Sequence, residues 1–294
     1  MTDRDYLQRM LFEEINARCV YVRLEGVLAE LAKRGDDPQA ARELLSEGLL
    51  IAALMSSGIK FSGRLSLQVR SQGALKLLVA DCTDSGGLRG TVALNEQMTV
   101  PASAAALVET IGQGGVVTLT LDPTGKGQRW QGIVPLEGST LAEAIAAYFE
   151  RSEQLPTRFR LAVGRDRAAA LMIQRMPGPS EDTDGWNRLE HLLASATAQE
   201  LLDLDGQELM HRLFHAEVRR VFPPRALSFY CPCSRHRVAE VLLGLGPTEL
   251  ADMIEQDEPV DVRCQFCNQN YRFDRLDLVA LQHGESGRAG GTVH

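Results

Sequence analysis

The sequence predicts an α+β fold: an N-terminal α+β domain with an antiparallel or mixed sheet, a helical linker and a small C-terminal zinc-binding domain. Three observations lead to this prediction. In the first 175 residues, short runs of alternating apolar side chains indicate hairpins, and helices occur among them without a regular βαβ order. A polar segment rich in proline and glycine comes next. The last 64 residues then hold four of the six cysteines.

Two helices are predicted in the first domain from their N-terminal residues. Asp37 is expected to cap the first helix, with Pro38 in its first position, and the helix to run to Gly58. Its apolar positions at helical spacing are Leu44, Leu45, Ile51, Ala52 and Met55. Thr140 and Glu143 have the spacing of a capping box and predict a second helix.

The strands of the first domain are predicted from alternation of apolar and polar residues. Two such runs flank the turn Ser71-Gln72-Gly73, which predicts a hairpin. The apolar positions of this hairpin are Leu65, Leu67 and Val69, then Leu75, Leu77 and Val79. Further strands are predicted at Leu88–Val92, Val116–Leu121, Arg129–Val134, Arg158–Val163 and Ala169–Gln174.

A helical segment with one apolar face is predicted after the first domain. Residues 177–185, Pro-Gly-Pro-Ser-Glu-Asp-Thr-Asp-Gly, mark the boundary, and the helical pattern covers roughly 186–222. Asp205 and Glu208 resemble a capping box, and Pro223-Pro224 ends the pattern. The apolar face consists of Leu209, Met210, Leu213, Phe214, Val218, Val221 and Phe222. Such a face ordinarily packs on a neighbouring element.

These boundaries divide the chain into four predicted parts. Residues 1–177 form the α+β core domain, and 178–225 form the helical linker. Residues 226–283 form the zinc-binding domain, and the glycine-rich tail 284–294 is predicted to be disordered.

Composition and charge exclude several classes of protein. Of the 294 residues, 44% are hydrophobic, 24% are charged and 5% are aromatic, as in an ordinary soluble protein. The net charge of −8 disfavours nucleic-acid binding, which depends on neutralising phosphates with Lys and Arg. No apolar run approaches the about 20 residues of a membrane span, and the acidic N-terminus lacks the apolar region of a signal peptide. We therefore expect a cytoplasmic protein without membrane partners, in a compartment where thiols stay reduced.

Four cysteines form two closely spaced pairs near the C-terminus. Cys231-Pro232-Cys233 and Cys264-Gln265-Phe266-Cys267 are separated by 30 residues. Two helical patterns, Arg235–Leu243 and Thr248–Ile254, lie between the pairs, and strand-like residues flank the second pair: Val260, Val262, Tyr271 and Phe273. Two pairs with this separation predict one zinc ion bound by four thiolates, a closed tetrahedral site without an open position for hydrolysis. Because four thiolates already complete the site, His236 is expected to be solvated or outside the ligand set.

The residues leave two roles open for such a zinc site. The metal could simply stabilise a small domain with a weak core. Alternatively, the unusual C-x-C pair and the C-x-x-C pair are vicinal dithiols, and their thiolates react with oxidants such as peroxide or hypochlorite. Oxidation of either pair would remove two ligands. Zinc binding contributes about 10–16 kcal/mol in small zinc peptides, against about 5–15 kcal/mol for the stability of a whole domain, so metal loss could unfold the unit.

The pattern of the four cysteines resembles that of the redox-regulated heat shock protein 33 family of bacterial chaperones. Further similar segments are Leu11-Phe12, Arg89-Gly90, the run Gln131-Gly132-Ile133-Val134-Pro135-Leu136-Glu137-Gly138, and Tyr148-Phe149-x-Arg151-Ser152-Glu153-Gln154-Leu155-Pro156-Thr157-Arg158. The resemblance extends from about Tyr6 to His283 with the domain order intact.

This resemblance implies an ATP-independent holdase, not an enzyme, that is inactive while Cys231, Cys233, Cys264 and Cys267 hold zinc. Oxidation would link Cys231 to Cys233 and Cys264 to Cys267 and release the zinc. The zinc-binding domain and linker would unfold, and the protein would dimerise and bind unfolding client proteins. The face of the linker is then a candidate client surface, with Leu209, Met210, Leu213, Phe214 and Val218 as its residues.

Other functions find less support in the sequence. A nucleic-acid-binding zinc ribbon should be basic, whereas residues 231–277 hold five Arg, no Lys and nine acidic residues, a net charge of −4. A thiol oxidoreductase would place its C-x-x-C in an early βαβ unit. The hydrolase and nucleotide-binding motifs G-x-S-x-G, H-E-x-x-H and the P-loop are missing from the sequence. Cys19 and Cys82 are expected to be inert, either as small buried hydrophobes or as exposed thiols.

Overall fold

The chain divides into two compact units, Met1–Tyr230 and Cys231–His294. The computed structural model describes residues 4–35, 37–58, 62–111, 115–125, 127–136 and 138–283. The predicted division into four parts stays a prediction; the residues of the predicted linker, 178–225, lie within the first unit. The predicted disordered tail, 284–294, lies outside the described residues.

The first unit contains two sheets. Its elements are β1 (Tyr6–Phe12), β2 (Ala17–Leu24), α1 (Gly26–Ala32), α2 (Gln39–Ser56), β3 (Gly63–Arg70), β4 (Leu75–Thr83), β5 (Gly87–Leu94), α3 (Ala104–Thr110), β6 (Val116–Pro123), β7 (Trp130–Pro135), α4 (Leu141–Arg151), β8 (Thr157–Val163), β9 (Ala168–Arg175), α5 (Gly185–Ala194), α6 (Ala198–Asp203), α7 (Gly206–Phe214), β10 (Arg220–Val221), β11 (Arg225–Ala226) and β12 (Ser228–Phe229). Sheet 1 has the order β10-β1-β2-β9-β8, with β11 also paired to β1. Sheet 2 has the order β12-β5-β4-β3-β6-β7 and is mixed, because β12 pairs with β5 in parallel.

The α+β class is confirmed, and the predicted strands correspond to β3 to β9. The hairpin around Ser71-Gln72-Gly73 joins β3 and β4, whose register pairs Leu67 with Ala80. The capping box at Thr140 is confirmed in part, since the Thr140 side chain accepts a hydrogen bond from the backbone N–H of Glu143. The predicted cap of the first helix is wrong by one residue: Pro38, not Asp37, is the N-cap of α2, and its side chain offers no capping bond.

Helix α2 lies between the two sheets and forms the centre of the main core. It contacts β3, β4 and β5 of sheet 2 and β2, β8 and β9 of sheet 1. Fourteen of its eighteen residues are buried, so nearly the whole circumference of the helix is covered. A helix that is apolar all round is stable only inside a protein core.

The central strands of sheet 1, β2 and β9, are buried on both faces because they carry apolar side chains at successive positions. In β2, Val20 and Val22 face the core around α2, whereas Cys19 and Tyr21 face a second core. In β9, Ala170 and Met172 face the first core, and Leu171 and Ile173 the second. The alternation of side chains across a strand therefore supplies apolar residues to both faces.

Helices α5, α6 and α7 cover the second face of sheet 1. Phe12 of β1 and Phe214 of α7 meet edge to face, with ring centroids 5.3 Å apart. The predicted helical segment over about 186–222 consists of three helices and ends at Phe214, so its predicted end near Phe222 is wrong. The predicted helix start is confirmed, because Asp205 accepts from the backbone N–H of Glu208. A further break, where Thr197 forms a capping box with Glu200, was not predicted.

The predicted apolar face of the linker is divided between two environments. Four of its residues are buried against sheet 1: Leu209, Met210, Leu213 and Phe214. Val218 lies beyond the end of α7 and is 61% exposed. Val221 belongs to β10, whose side chains are exposed.

The chain after α7 runs along the edges of both sheets. Strand β10 pairs Val221 with Met10, and β11 pairs Ala226 with Tyr6, so both cover the edge of β1. Strand β12 then covers the edge of β5, pairing Phe229 with Leu88. Covering an edge strand in this way prevents it from pairing with another chain.

The second unit is small. Its elements are α8 (Arg235–Gly244), α9 (Pro247–Glu255), β13 (Val260–Arg263), β14 (Asn270–Phe273) and α10 (Arg275–Gln282). Both predicted helices are present. The apolar core consists of Ala239, Leu242, Leu250, Phe273, Leu278 and Leu281. Across the described residues of both units, no helix combines the length and apolar character that crossing a membrane requires.

The burial of Phe214 and the exposure of Val218 predict opposite effects of truncating them. Phe214→Ala should lower the free energy of unfolding by about 3–5 kcal/mol, because it leaves a cavity under α7. Val218→Ala should change it by less than about 0.5 kcal/mol, because it removes exposed surface. Urea unfolding followed by the fluorescence of Trp186, in a Trp130→Phe background, measures both, since Trp186 packs against the same cluster. Equal losses in the two variants would contradict this placement of α7.

Candidate metal centre

The hairpin β13–β14 positions the second cysteine pair. Its strands are antiparallel, with Val262 opposite Tyr271. At the turn, the backbone N–H of Cys264 donates to the carbonyl of Gln269 (3.0 Å), and the N–H of Asn268 donates to the carbonyl of Cys264 (2.8 Å). Asn268 takes the left-handed conformation, with φ of 56°. These bonds close the turn on which Cys264 and Cys267 lie, as the flanking strand-like residues predict.

The first cysteine pair lies directly before α8. Ser234 caps this helix by accepting from the backbone N–H of Arg237 (3.3 Å), and Arg237 Nη1 donates to the carbonyl of Pro232 (2.9 Å). Arg235 joins the start of α8 to the rest of the unit: it donates to the carbonyl of Arg272 and to Asp277, both at 2.6 Å. Helix α8 is thereby fixed beside β14, so that Cys231 and Cys233 face the other pair.

All four predicted ligands meet at one point. Their Sγ atoms lie within 4.8 Å of one another. The shortest separations join the two pairs, with 3.7 Å between Cys231 and Cys264 and 3.2 Å between Cys233 and Cys267. Every cysteine is a free thiol. Ligands at about 2.3 Å in a tetrahedron are about 3.8 Å apart, so the sulfur set fits a single thiolate-bound metal ion with little adjustment.

The thiols of Cys231, Cys233 and Cys267 differ in how easily they lose a proton. Burial raises the pKa of Cys233, but hydrogen bonds from Tyr271, Cys267 and the other two cysteines outweigh it and lower the value to about 7. Burial raises the pKa of Cys267, which also donates to Cys233, to about 12. The pKa of Cys231 is raised mainly by burial. The cluster therefore concentrates negative charge on Cys233, and a bound cation would favour deprotonation of the others.

Tyr271 is the residue of this site that the sequence prediction missed. Its hydroxyl donates to the Sγ of Cys233 at 3.1 Å. This hydrogen bond stabilises the thiolate of Cys233, and it raises the pKa of Tyr271 itself. The available clue was position: Tyr271 lies four residues after Cys267 on the returning strand, opposite Val262 and thus next to the turn.

The remaining candidate residues lie outside the cluster. His236 is exposed and faces Glu240 one helical turn away, with 3.4 Å between Nε2 and Oε1. Cys19 and Cys82 are fully buried in the first unit, and burial raises the pKa of each thiol. Both environments disfavour the reactive thiolate, which agrees with inert cysteines.

Fold and site together define a two-unit α+β protein whose small second unit carries a four-cysteine centre able to hold a metal ion. The sequence model of the Hsp33 protein family matches residues 5–274. The chain belongs to this family.

Similar proteins of several bacteria bear the name 33 kDa chaperonin. That of Azotobacter vinelandii is 40% identical over 301 residues, covering 100% of both chains. That of Pseudomonas paraeruginosa is 40% identical over 290 residues, covering 97% of this chain and 96% of the relative. A Neisseria meningitidis protein is 38% identical over 277 residues, with 94% and 91% covered.

A solved structure supports the fold. The crystal structure of a 33 kDa chaperonin, a heat shock protein 33 homologue from Thermotoga maritima, superposes with a TM-score of 0.83 and covers 96% of this chain and 99% of that one. At 24% sequence identity, the likeness shows that the two chains share the fold.

The hydrogen bond from Tyr271 predicts an effect on metal retention. Tyr271→Phe should weaken metal binding by about tenfold, as loss of an outer hydrogen bond to a ligand typically does. Cobalt(II) is a suitable probe, because its thiolate complexes absorb light, and a chelator titration gives the affinity. The matched control is Tyr230→Phe, which removes the same hydroxyl one residue before Cys231 from a side chain that is 52% exposed. Equal affinities in the two variants would show that the hydroxyl does not support the site.

Proposed function

We propose that the chain is a redox-regulated, ATP-independent chaperone, a holdase that binds unfolding proteins after oxidation of its cysteine centre. The observation that carries this proposal is the convergence of four reduced thiols within 4.8 Å in a unit whose apolar core has six buried residues. The relatives' name, chaperonin, supports a role in binding non-native proteins. The protein would act as a binding protein and not as an enzyme.

In the reduced state, Cys231, Cys233, Cys264 and Cys267 would hold one zinc ion. When bound, zinc would supply a structural cross-link between the two cysteine pairs, without a free coordination position for catalysis. Such a link matters here because so small a core contributes little stability by itself. Tyr271 would hold the thiolate of Cys233 in place through its hydroxyl.

Oxidation would act on the sulfur atoms. A thiolate attacks hydrogen peroxide, takes up one oxygen atom and becomes a sulfenic acid. The hydroxide that leaves takes up one proton and becomes water. The neighbouring thiol then displaces a second water and forms the disulfide, so two electrons pass from two sulfur atoms to one peroxide. We assign the pairs Cys231–Cys233 and Cys264–Cys267 by the family resemblance. Each disulfide removes two ligands, and the second unit would then have to rely on its own small core.

We infer that oxidation is followed by the opening of a surface for clients in the first unit. An apolar surface that could open without unfolding the main core is the contact of α5, α6 and α7 with sheet 1. Leu209, Met210, Leu213 and Phe214 lie in that contact, so their release would expose them together with Phe12 and Ile173 of the sheet. Val218, already 61% exposed, would extend the client surface. Long flexible Leu, Met and Phe side chains suit a binder that must accept many sequences.

The activated protein would be a homodimer in the cytoplasm. The cytoplasm keeps thiols reduced until stress, which a thiol switch requires. The net charge of −8 would help an oxidised form with exposed apolar surface to stay soluble. The alternative function is a nucleic-acid-binding or interaction module in which zinc has only a structural role. The net charge of −4 over residues 231–277 does not favour binding to nucleic acid.

The direct test is light scattering from a client protein that aggregates on heating. The reduced, zinc-loaded form should leave the scattering unchanged. The form treated with peroxide at elevated temperature should suppress it without nucleotide, and dithiothreitol should reverse the effect. If both forms suppress the scattering equally, or if neither does, the zinc has only a structural role.

The client surface has its own test. Leu213→Ser combined with Phe214→Ser should weaken suppression by the oxidised form without altering the zinc content of the reduced form, because the cysteines are untouched. Ile133→Ser is the control, since it removes an apolar side chain that is 64% exposed and lies on β7, outside this cluster. If the double variant suppresses scattering as well as the control, the apolar face of α7 serves only as core.

A further inference from the structure

A cavity of about 450 Å³ opens in the first unit, between the ends of its two sheets. Its apolar wall comes from α2, α4, β3, β6 and β7, and includes Met55, Leu65, Leu119, Trp130 and Phe149. This volume and lining are typical of sites for small organic ligands. The cavity belongs to neither the cysteine centre nor the contact between α7 and sheet 1.

Arg18 of β2 lines this apolar cavity. Its side chain is half-buried, and burial together with nearby Arg9 lowers the pKa of Arg18 to about 10. Nε and Nη2 both donate to Oε1 of Gln174, at 3.0 and 2.6 Å. Within the described part of the chain, no acidic group lies within ion-pair distance of Arg18, and Nη1 has no hydrogen-bond acceptor. A guanidinium with an unused donor at the wall of an apolar cavity is suited to bind a carboxylate.

The position of the guanidinium is fixed by its neighbours. Gln174 Nε2 donates to Oγ1 of Thr157 (2.8 Å), and Thr157 in turn donates to the carbonyl of Leu155 (2.8 Å), so the amide oxygen of Gln174 must face Arg18. Gln174 and Thr157 are buried. Gly58 makes room, because a Cβ there would lie 2.0 Å from Nη1 of Arg18. These contacts orient the guanidinium at the cavity and leave part of its donor capacity unused.

The other charges of the lining do not neutralise Arg18. Arg175 is exposed at the end of β9 and adds a second positive charge. Glu153, the one carboxylate among the described lining residues, is exposed and accepts a hydrogen bond from the hydroxyl of Tyr148 at 3.0 Å. The lining therefore has a net positive charge, and Arg18 is the less exposed of its two arginines.

We propose that this cavity binds a small amphipathic carboxylate, a monocarboxylic acid with an aliphatic or aromatic body. The carboxylate would accept a charge-assisted hydrogen bond from Nη1 of Arg18. Its apolar body would lie against Met55, Leu119, Trp130 and Phe149. The site is independent of the cysteine centre, so the proposal of a carboxylate ligand does not depend on the proposed redox switch.

Decanoate is the probe, and decanol, which has the same chain without the charge, is the matched ligand. Binding is followed by the fluorescence of Trp130 in a Trp186→Phe background, which leaves Trp130 as the single tryptophan, because the chain has two. Decanoate should bind saturably, with one ligand per chain, and at least about tenfold more tightly than decanol, the advantage of one charge-assisted hydrogen bond.

The decisive variant is Arg18→Gln, which removes the charge and keeps an amide donor for Gln174. It should lower decanoate affinity by about tenfold or more and leave decanol binding unchanged, so retained decanol binding also reports an intact cavity. Gly58→Ala should have the same effect by displacing the guanidinium while keeping its charge. Arg70→Gln is the control: it removes the same charge from an exposed position at the end of β3 and should change neither affinity.

Two results would overturn the proposal. If decanoate binds no more tightly than decanol, the cavity is an apolar void at the end of the core. If Arg18→Gln lowers neither affinity, or lowers both equally, Arg18 does not recognise the carboxylate.

Discussion

The strands β1, β2 and β9 present apolar side chains on both faces of sheet 1, so neither face can be left to water. Helix α2 covers one face and joins sheet 1 to sheet 2 in a single core. The other face depends on α5, α6 and α7, which are short and contribute a separate core. Short helices are stable only through their packing, so this cover can be lost while the main core stays folded. The division into two cores is therefore what makes a reversible opening of the first unit physically reasonable.

The second unit, which carries the cysteine centre, has only a small apolar core. Six buried apolar residues hold its three helices and its hairpin together. The four thiols converge between the start of α8 and the turn of the β13–β14 hairpin. A metal ion bound there would add a large, local contribution that chemistry at sulfur can remove. Tyr271 connects the hairpin to this chemistry through Cys233. Stability that depends on a few oxidisable atoms is a natural basis for a redox switch.

The sequence predicted the four-cysteine cluster better than the fold around it. Cysteine spacing identifies a thiolate site directly, since no other residue type supplies that chemistry, and the strand-like residues around Cys264 and Cys267 indicated the hairpin. Strand β2 escaped prediction because both of its faces are buried, which removes the alternation that indicates a strand. The break between α5 and α6 escaped prediction because the cap at Thr197 interrupts an apolar pattern without changing its period. Tyr271 and Arg18 act through contacts with residues distant in sequence, Arg18 with Gln174 across two strands, and no local pattern records such contacts.

Hydrogen–deuterium exchange on the reduced and oxidised forms tests most directly whether the cysteine centre controls the cover of sheet 1. Peptides from α5, α6 and α7 should lose protection together with those of the second unit on oxidation, while α2 stays protected. Dithiothreitol with zinc should restore the original pattern. Loss of protection confined to the second unit, with α5 to α7 unchanged, would contradict the account, because the surface proposed for clients would then stay covered in the oxidised protein.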